Sequence, residues 1–291
     1  MNFQVSHRTA YRYQTQVTQS QHVVHLAPRE IPRQRVVRHN MMVEPAPTWR
    51  SDFHDYFGNP VSLFEIDNEH DNLVIHARTT LSVAPTPAPD LTQGTSWEHV
   101  LARLMREGNA IDLDTIQYAV PSDATHADDE ILQFARVSFE AGRPALNAVL
   151  DLTRRIFEEF TFDSAATDVS TPVSDVLRLR RGVCQDFAHL ALTCCRAMRI
   201  PARYVSGYLL TRPPEGQVKL QGADASHAWI SVWTPEHAWI DFDPTNNLIT
   251  SDEHITFAYG REYADISPVS GVLLGGGNHT VEVAVDVIPQ A

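Results

Sequence analysis

Cysteine is scarce, at three among 291 residues. Cys184 and Cys194 on one helix would stand about 15 Å apart at the usual rise, too far for a disulfide. Cys194 and Cys195 are neighbours, and on an apolar stripe they read as packing residues. The spacing fits no zinc site, so no metal or other cofactor is expected and Cys184 stands as a free thiol. Positive charge is also short: 23 Lys and Arg against 36 Asp and Glu leave a net charge of −13 and a pI near 5.4. That balance argues against nucleic acid or an anionic membrane as the main partner. No apolar run is long enough to span a bilayer, and Met1–Arg8 lacks the basic-then-apolar order of a signal peptide. A cytoplasmic location is the expectation. No internal repeat is evident.

Residues 1–84 are β-rich. Phe3–His7, Tyr11–Tyr13, Val23–Leu26, Val36-Val37 and Leu73–Ala77 are short alternating runs split by turn residues, and Asp55–Pro60 is a turn between two strands. The proline-rich run at 85–90 is a semi-extended linker and the clearest domain boundary. A second domain is then expected over 91–291. Helical periodicity begins at Ser96–Arg106, Asp128–Glu140, Pro144–Phe160 and Ser174–Arg180. Strands follow at Ala202–Leu209, Ala225–Trp233 and Ala238–Phe242, and Thr280–Val287 alternates as an antiparallel strand should. A β-rich region, then helices, then strands, makes an α+β protein.

The stretch Gly182-Val183-Cys184-Gln185-Asp186-Phe187-Ala188-His189-Leu190 organises the second region. A helix from Cys184 to about Met198 places Cys184, Phe187, Ala188, Ala191, Cys194, Cys195 and Met198 on one apolar stripe. Gln185, His189, Arg196 and Arg199 fall on the other side. Gly182 lets the chain enter sharply. Unpaired backbone N–H groups and the macrodipole at the helix start favour an anionic sulfur on Cys184. Downstream, a hairpin around Thr234-Pro235-Glu236 that matches apolar faces sets Val232 opposite Ala238, Ile230 opposite Ile240, and Ala228 opposite Phe242. His227 then lies opposite Asp243, within reach of an imidazole–carboxylate hydrogen bond, and Cys184 is the candidate third member.

Arg181–Ala188, Gly207-Tyr208, His227-Ala228-Trp229 and Trp239–Thr245 together resemble the transglutaminase-like superfamily, whose core is papain-like. The resemblance in the core runs from about 174 to 246. Val23–Arg29 and the Asp55–Pro60 turn resemble the β domain of bacterial members, and Tyr259–Gly271 is similar to their tail. The resemblance implies a papain-like helix-on-sheet core behind a β domain, with Cys184 as nucleophile, His227 as general base and acid, and Asp243 orienting the imidazole. It implies a cysteine hydrolase or acyltransferase that acts on peptide or protein amides through a thioester. Hydrolysis, as in a cysteine protease, is the expected outcome. Protein-glutamine transamidation and a non-catalytic protein-binding scaffold are the alternatives.

Plainer readings stand beside these. His227 alone could be a satisfied core histidine, and Asp243 before Pro244 could merely start a turn. Tyr208 and Trp229, with Trp239, are candidates for lining a substrate cleft, although packing around the sheet accounts for them more simply. Asp186, Asp241 and His237 lack the tight spacing of metal ligands. Gly275-Gly276-Gly277 reads as a turn, since no Lys and Ser/Thr follow to make a phosphate loop.

Overall fold

The structure, a computed structural model, describes residues 1–87, 89–106, 113–211, 222 and 224–290. Five strands come first: β1 (Asn2–Val24), β2 (Gln34–Glu44), β3 (Trp49–His54), β4 (Pro60–Ile66) and β5 (His70–Val83). The expected short runs between Phe3 and Leu26 prove to be mostly one strand. His7 and Thr9 occupy inward positions there, satisfied by the Tyr208 hydroxyl and by each other, so the apolar alternation breaks while the backbone does not. Helices α1 (Val100–Arg106), α2 (Leu113–Ile116), α3 (Asp129–Ser138) and α4 (Ala145–Glu159) follow. Asp128 caps α3 by accepting a hydrogen bond from the Ile131 N–H at 2.9 Å. The chain then passes β6 (Thr161–Phe162), α5 (Val173–Leu179) and β7 (Arg181–Gly182) into α6 (Cys184–Ala197). Strands β8 (Ala202–Leu209), β9 (Ser226–Thr234), β10 (Ala238–Asp243), β11 (Leu248–Ile249) and β12 (His254–Gly260) precede the final pair, β13 (Val269–Gly275) and β14 (His279–Gln290). No helix among the described residues is long and apolar enough to cross a membrane.

Two sheets carry the architecture. In the first, β1 is central: it pairs with β5 on one side and with β14 on the other, while its distal half pairs with β4 and β13. This corrects the contiguous division at 84 and 91. The strand expected at 280–287 is present, but its ladder partner is β1, so both ends of the chain build the first sheet. The turn from β13 to β14 needs its three glycines, because Gly275, Gly276 and Gly277 all have positive φ (94°, 80° and 62°).

The second sheet runs β11-β10-β9-β8-β12, and α6 packs on one face of it. Phe187, Ala188, Ala191, Cys194 and Cys195 of α6 meet Ala202, Tyr204, Ile230, Val232 and Phe242 in one core. The opposite face meets the first sheet, where Phe3, Val5, Leu81 and Val83 pack on Tyr208, Ile255 and Phe257. Being covered on both sides, β12 is buried at all seven positions. Helix α6 is enclosed too, and here the amphipathic reading fails for two residues. His189 and Arg196, assigned to the solvent side, are buried. Arg196 donates to the carbonyls of Tyr118, Ala202 and Arg261 and to Thr125 Oγ1, so neutral acceptors replace water around the guanidinium.

Candidate active site

Cys184 is the first residue of α6 and is half-buried. Its placement depends on Asp186, whose carboxylate turns back to accept the Val183 N–H at 2.8 Å and the Thr167 hydroxyl at 2.6 Å. This is the acidic half of a capping box, and it places negative charge on the positive end of the helix. Gly182 is required by proximity to that carboxylate, since a Cβ there would lie 2.6 Å from Asp186 Oδ2 and 2.9 Å from its Cβ. Gly182→Ala is therefore expected to destabilise the fold by about 1–3 kcal/mol and to lower turnover by displacing the helix start. Denaturation midpoints and kcat measured on the same variant check both effects.

His227 and Asp243 come from β9 and β10. The two strands pair with Thr234 opposite Ala238, Val232 opposite Ile240 and Ile230 opposite Phe242. The expected register is thus two residues out. The reason is a three-residue loop, Pro235 to His237, closed by Ala238 in the left-handed region at φ 53°. An alanine gives no warning of that conformation. A two-residue shift keeps the faces, so His227 and Asp243 are diagonal neighbours instead of direct ones. They still meet: His227 Nε2 donates to Asp243 Oδ2 at 2.7 Å.

Asp243 is fully buried and takes five hydrogen bonds. Oδ2 accepts from His227 Nε2, from Asn246 Nδ2 at 2.8 Å and from His254 Nε2 at 3.2 Å, while Oδ1 accepts the N–H groups of Thr245 (2.9 Å) and Asn246 (3.2 Å). Burial alone would favour the neutral acid, but the bonds from His227 and His254 prevail and hold the carboxyl far below its usual range. Burial likewise opposes a charged His227. The hydrogen bonds to Asp243 and to the Cys184 sulfur outweigh it and push the imidazole up to about 10. With Nε2 committed to the carboxylate, Nδ1 is left for the sulfur. One imidazole thus joins a thiol at a helix mouth to a buried carboxylate. The other two thiols differ: burial pushes Cys194 well above the ordinary thiol value and Cys195 up to about 12.

Residues 3–82 match the model of the bacterial transglutaminase-like N-terminal region, and residues 133–244 that of the transglutaminase-like superfamily. The chain belongs to the transglutaminase-like superfamily. An uncharacterised protein of Mycobacterium tuberculosis is 38% identical over 99% of this chain and 92% of its own. A protein-glutamine gamma-glutamyltransferase of Pseudomonas aeruginosa is 33% identical over 87 residues, which are 30% of this chain and 13% of that one. A solved candidate cysteine protease from Cytophaga hutchinsonii shares the fold, with a TM-score of 0.79, 22% identity and coverage of 100% and 92%.

The remaining candidates of this transglutaminase-like chain serve packing and support. Tyr208 and Trp229 do not line an open cleft, which corrects their assignment. Tyr208 is 2% exposed, bonded through its hydroxyl to His7 and packed edge-on against Phe257. Trp229 is fully buried and donates its indole N–H to Asp241 Oδ2 at 3.1 Å. Asp186 caps α6, and Asp241 is also paired with Arg33.

Sequence reasoning missed His254, which is 1% exposed. Its Nδ1 lies 3.4 Å from the Ser251 N–H and its Nε2 3.2 Å from Asp243 Oδ2. The one available signal was a polar residue opening an otherwise apolar run. The side chains of His227, Asp243 and His254 place three potential ligand atoms within 4.8 Å of one another. Here those atoms hydrogen-bond to each other, which suits a relay as well as a cation.

Strand β12, which carries His254, is fastened by the N-terminal region. The Gln34 amide bonds both the N–H and the carbonyl of Thr256, and the Asn59 amide does the same for Tyr259. Arg33 donates to the carbonyls of Ser251 and His254. The β domain thus holds the strand behind the carboxylate.

Both shifted groups link the site to stability. A His227 raised from 6.5 to about 10 contributes in full below pH 6.5 and loses that contribution as pH rises through about 10. A depressed Asp243 contributes above the ordinary carboxylate range and loses its share as pH falls below it. The unfolding temperature of the wild type should fall on both flanks, and His227→Gln should flatten the alkaline one. Scanning calorimetry across pH reads this directly.

Proposed function

We propose that this chain is a cysteine-dependent enzyme that cleaves amide bonds of peptides or proteins, with Cys184, His227 and Asp243 as its triad and water as the final acceptor. The observation that carries the reading is the His227–Asp243 hydrogen bond at 2.7 Å, on an imidazole that the Cys184 sulfur at the start of α6 lies near enough to help push up. The thiolate attacks the amide carbonyl, and the first N–H groups of α6, Cys184's own among them, face the developing oxyanion. The C–N bond breaks as imidazolium gives its proton to the departing amine, leaving a thioester on Cys184. His227 then takes a proton from water, which attacks the thioester. The acid departs, and the thiolate–imidazolium pair is restored. Asp243 keeps Nδ1 aimed at the sulfur throughout.

Transamidation is the second reading, and two observations favour it. One is the similarity to the Pseudomonas gamma-glutamyltransferase. The other is compositional: Lys219 is the single lysine of the chain, so a thioester on Cys184 would have almost no ε-amine of its own protein to acylate. A panel of peptide amides, with and without a primary amine, separates the two by product mass. Free acid in both arms supports hydrolysis, an amine adduct supports transfer, and no product in either arm ends the reading.

The ion pair has its own test. Iodoacetamide should alkylate Cys184 rapidly even at about pH 6, and His227→Ala should slow it by about tenfold or more at that pH. Equal rates in the two proteins would remove the pair from the argument.

A further inference from the structure

A cavity of about 630 Å³ lies between the N-terminal segment at Ile31–Arg33, the proline-rich linker and strand β10. Its walls are mainly apolar, with Pro87, Trp239 and Ile249 among them. Into it faces Arg203, whose guanidinium is held between two rings, 4.0 Å from the Trp239 centroid and 3.6 Å from that of Tyr259. Rings on both faces leave only the edge of the fork free to bond. The guanidinium has no hydrogen-bond acceptor and no carboxylate within ion-pair distance among the described residues; Nε is sealed by burial, which leaves the terminal Nη edge to bond. The second guanidinium of the lining, Arg33, reaches Asp241 at 3.4 Å. Two fixed cations therefore face one carboxylate inside an apolar chamber of the size that takes small ligands.

We infer that this cavity is a second binding site, for a carboxylate carried on an apolar body, with Arg203 gripping the carboxylate edge-on and the apolar walls and linker prolines covering the rest. An aromatic-stacked guanidinium suits the planar, two-oxygen geometry of a carboxylate, and its position is set before the ligand arrives. The site is separate from the candidate active centre. Trp229 reaches both, with its ring 5.3 Å from that of His254 and its N–H on Asp241. A free hydrophobic acid and the carboxy terminus of a peptide present the same chemistry.

Thermal shift on the full chain tests the site, with 3-phenylpropanoate and an acetylated tripeptide ending in leucine as probes. The corresponding amides, 3-phenylpropanamide and the tripeptide amide, serve as controls. At least one acid should raise the unfolding temperature saturably while its amide does not. The acid that does so identifies the source. Arg203→Met should weaken that binding by at least about tenfold. Thr250→Trp, which adds bulk at another lining position and keeps Arg203, should abolish it and decides the matter if Arg203→Met does not fold. Cys184→Ala should bind as well as the wild type, so failure of the acyl-transfer reading would leave this result untouched. No shift with either acid, an equal shift with the amides, or undiminished binding by a folded variant overturns the inference.

Discussion

Replacing Cys184 with alanine should lower amide turnover by at least about 10⁴-fold, while the unfolding temperature moves by no more than about 2 °C. The two halves of that expectation come from different features. The side chain is half-buried at the edge of the core, so truncation leaves little cavity, and the His227–Asp243 hydrogen bond stays in place to hold the imidazole. Its chemistry, by contrast, is irreplaceable, because a thioester needs the sulfur. Serine should fail nearly as badly, since a hydroxyl does not ionise beside the imidazole as a thiol does. Alkylation provides a control within the same molecule: one adduct should form per native chain, because Cys194 and Cys195 are sealed in the core. Turnover in the alanine variant within tenfold of the wild type would rule out Cys184 as the nucleophile.

The second large effect should come from Asp243→Asn, and it should strike both activity and stability. The carboxylate, itself fully buried, is the common acceptor for two imidazoles and an amide. An asparagine offers one acceptor oxygen and an NH₂ group that must face another donor. Breaking a buried pair of this kind costs about 3–5 kcal/mol. Turnover should drop by about 10⁴-fold, as the imidazole loses both its orientation and the charge that sustains its protonated form. The two effects can be separated. At a temperature where the variant remains folded, its alkylation rate at about pH 6 should approach that of His227→Ala, which a merely unstable protein would not show. His254→Gln should fall between, because it removes one of five hydrogen bonds and leaves His227 in place. Wild-type turnover in a folded Asp243→Asn protein would exclude the carboxylate from the reaction.

Parts of this were legible in the chain and parts were not, for physical reasons. The start of α6 could be read because a glycine, a capping acid and an apolar stripe agreed on one conformation. The pairing of His227 with Asp243 could be read because the apolar faces of β9 and β10 fix which side each points to. The register itself could not, since it depends on Ala238 adopting a positive φ that its side chain does not advertise. His254 escaped because β12 is covered on both faces and shows no alternation. Arg196 and His189 misled because a polar residue on a helix ordinarily signals solvent, whereas here carbonyls from three segments, two of them distant in sequence, and the Tyr263 N–H meet them. Strand β14 was plain as a strand, but its partner was not, since nothing local in 280–287 points to residues 2–13.

That last pairing affects the timing of assembly. Because Asn2 lies opposite Gln290, the ladder around β1 joins positions separated by nearly the whole chain, an arrangement associated with slow folding. During synthesis, the central strand waits for β14, which is made only after all the helices and the whole second sheet. The side chains that brace β12 come from the same region, in or just before its strands, so Cys184 acquires its mature surroundings late. A nascent chain would then carry an unarmed thiol past the crowded exit of the ribosome.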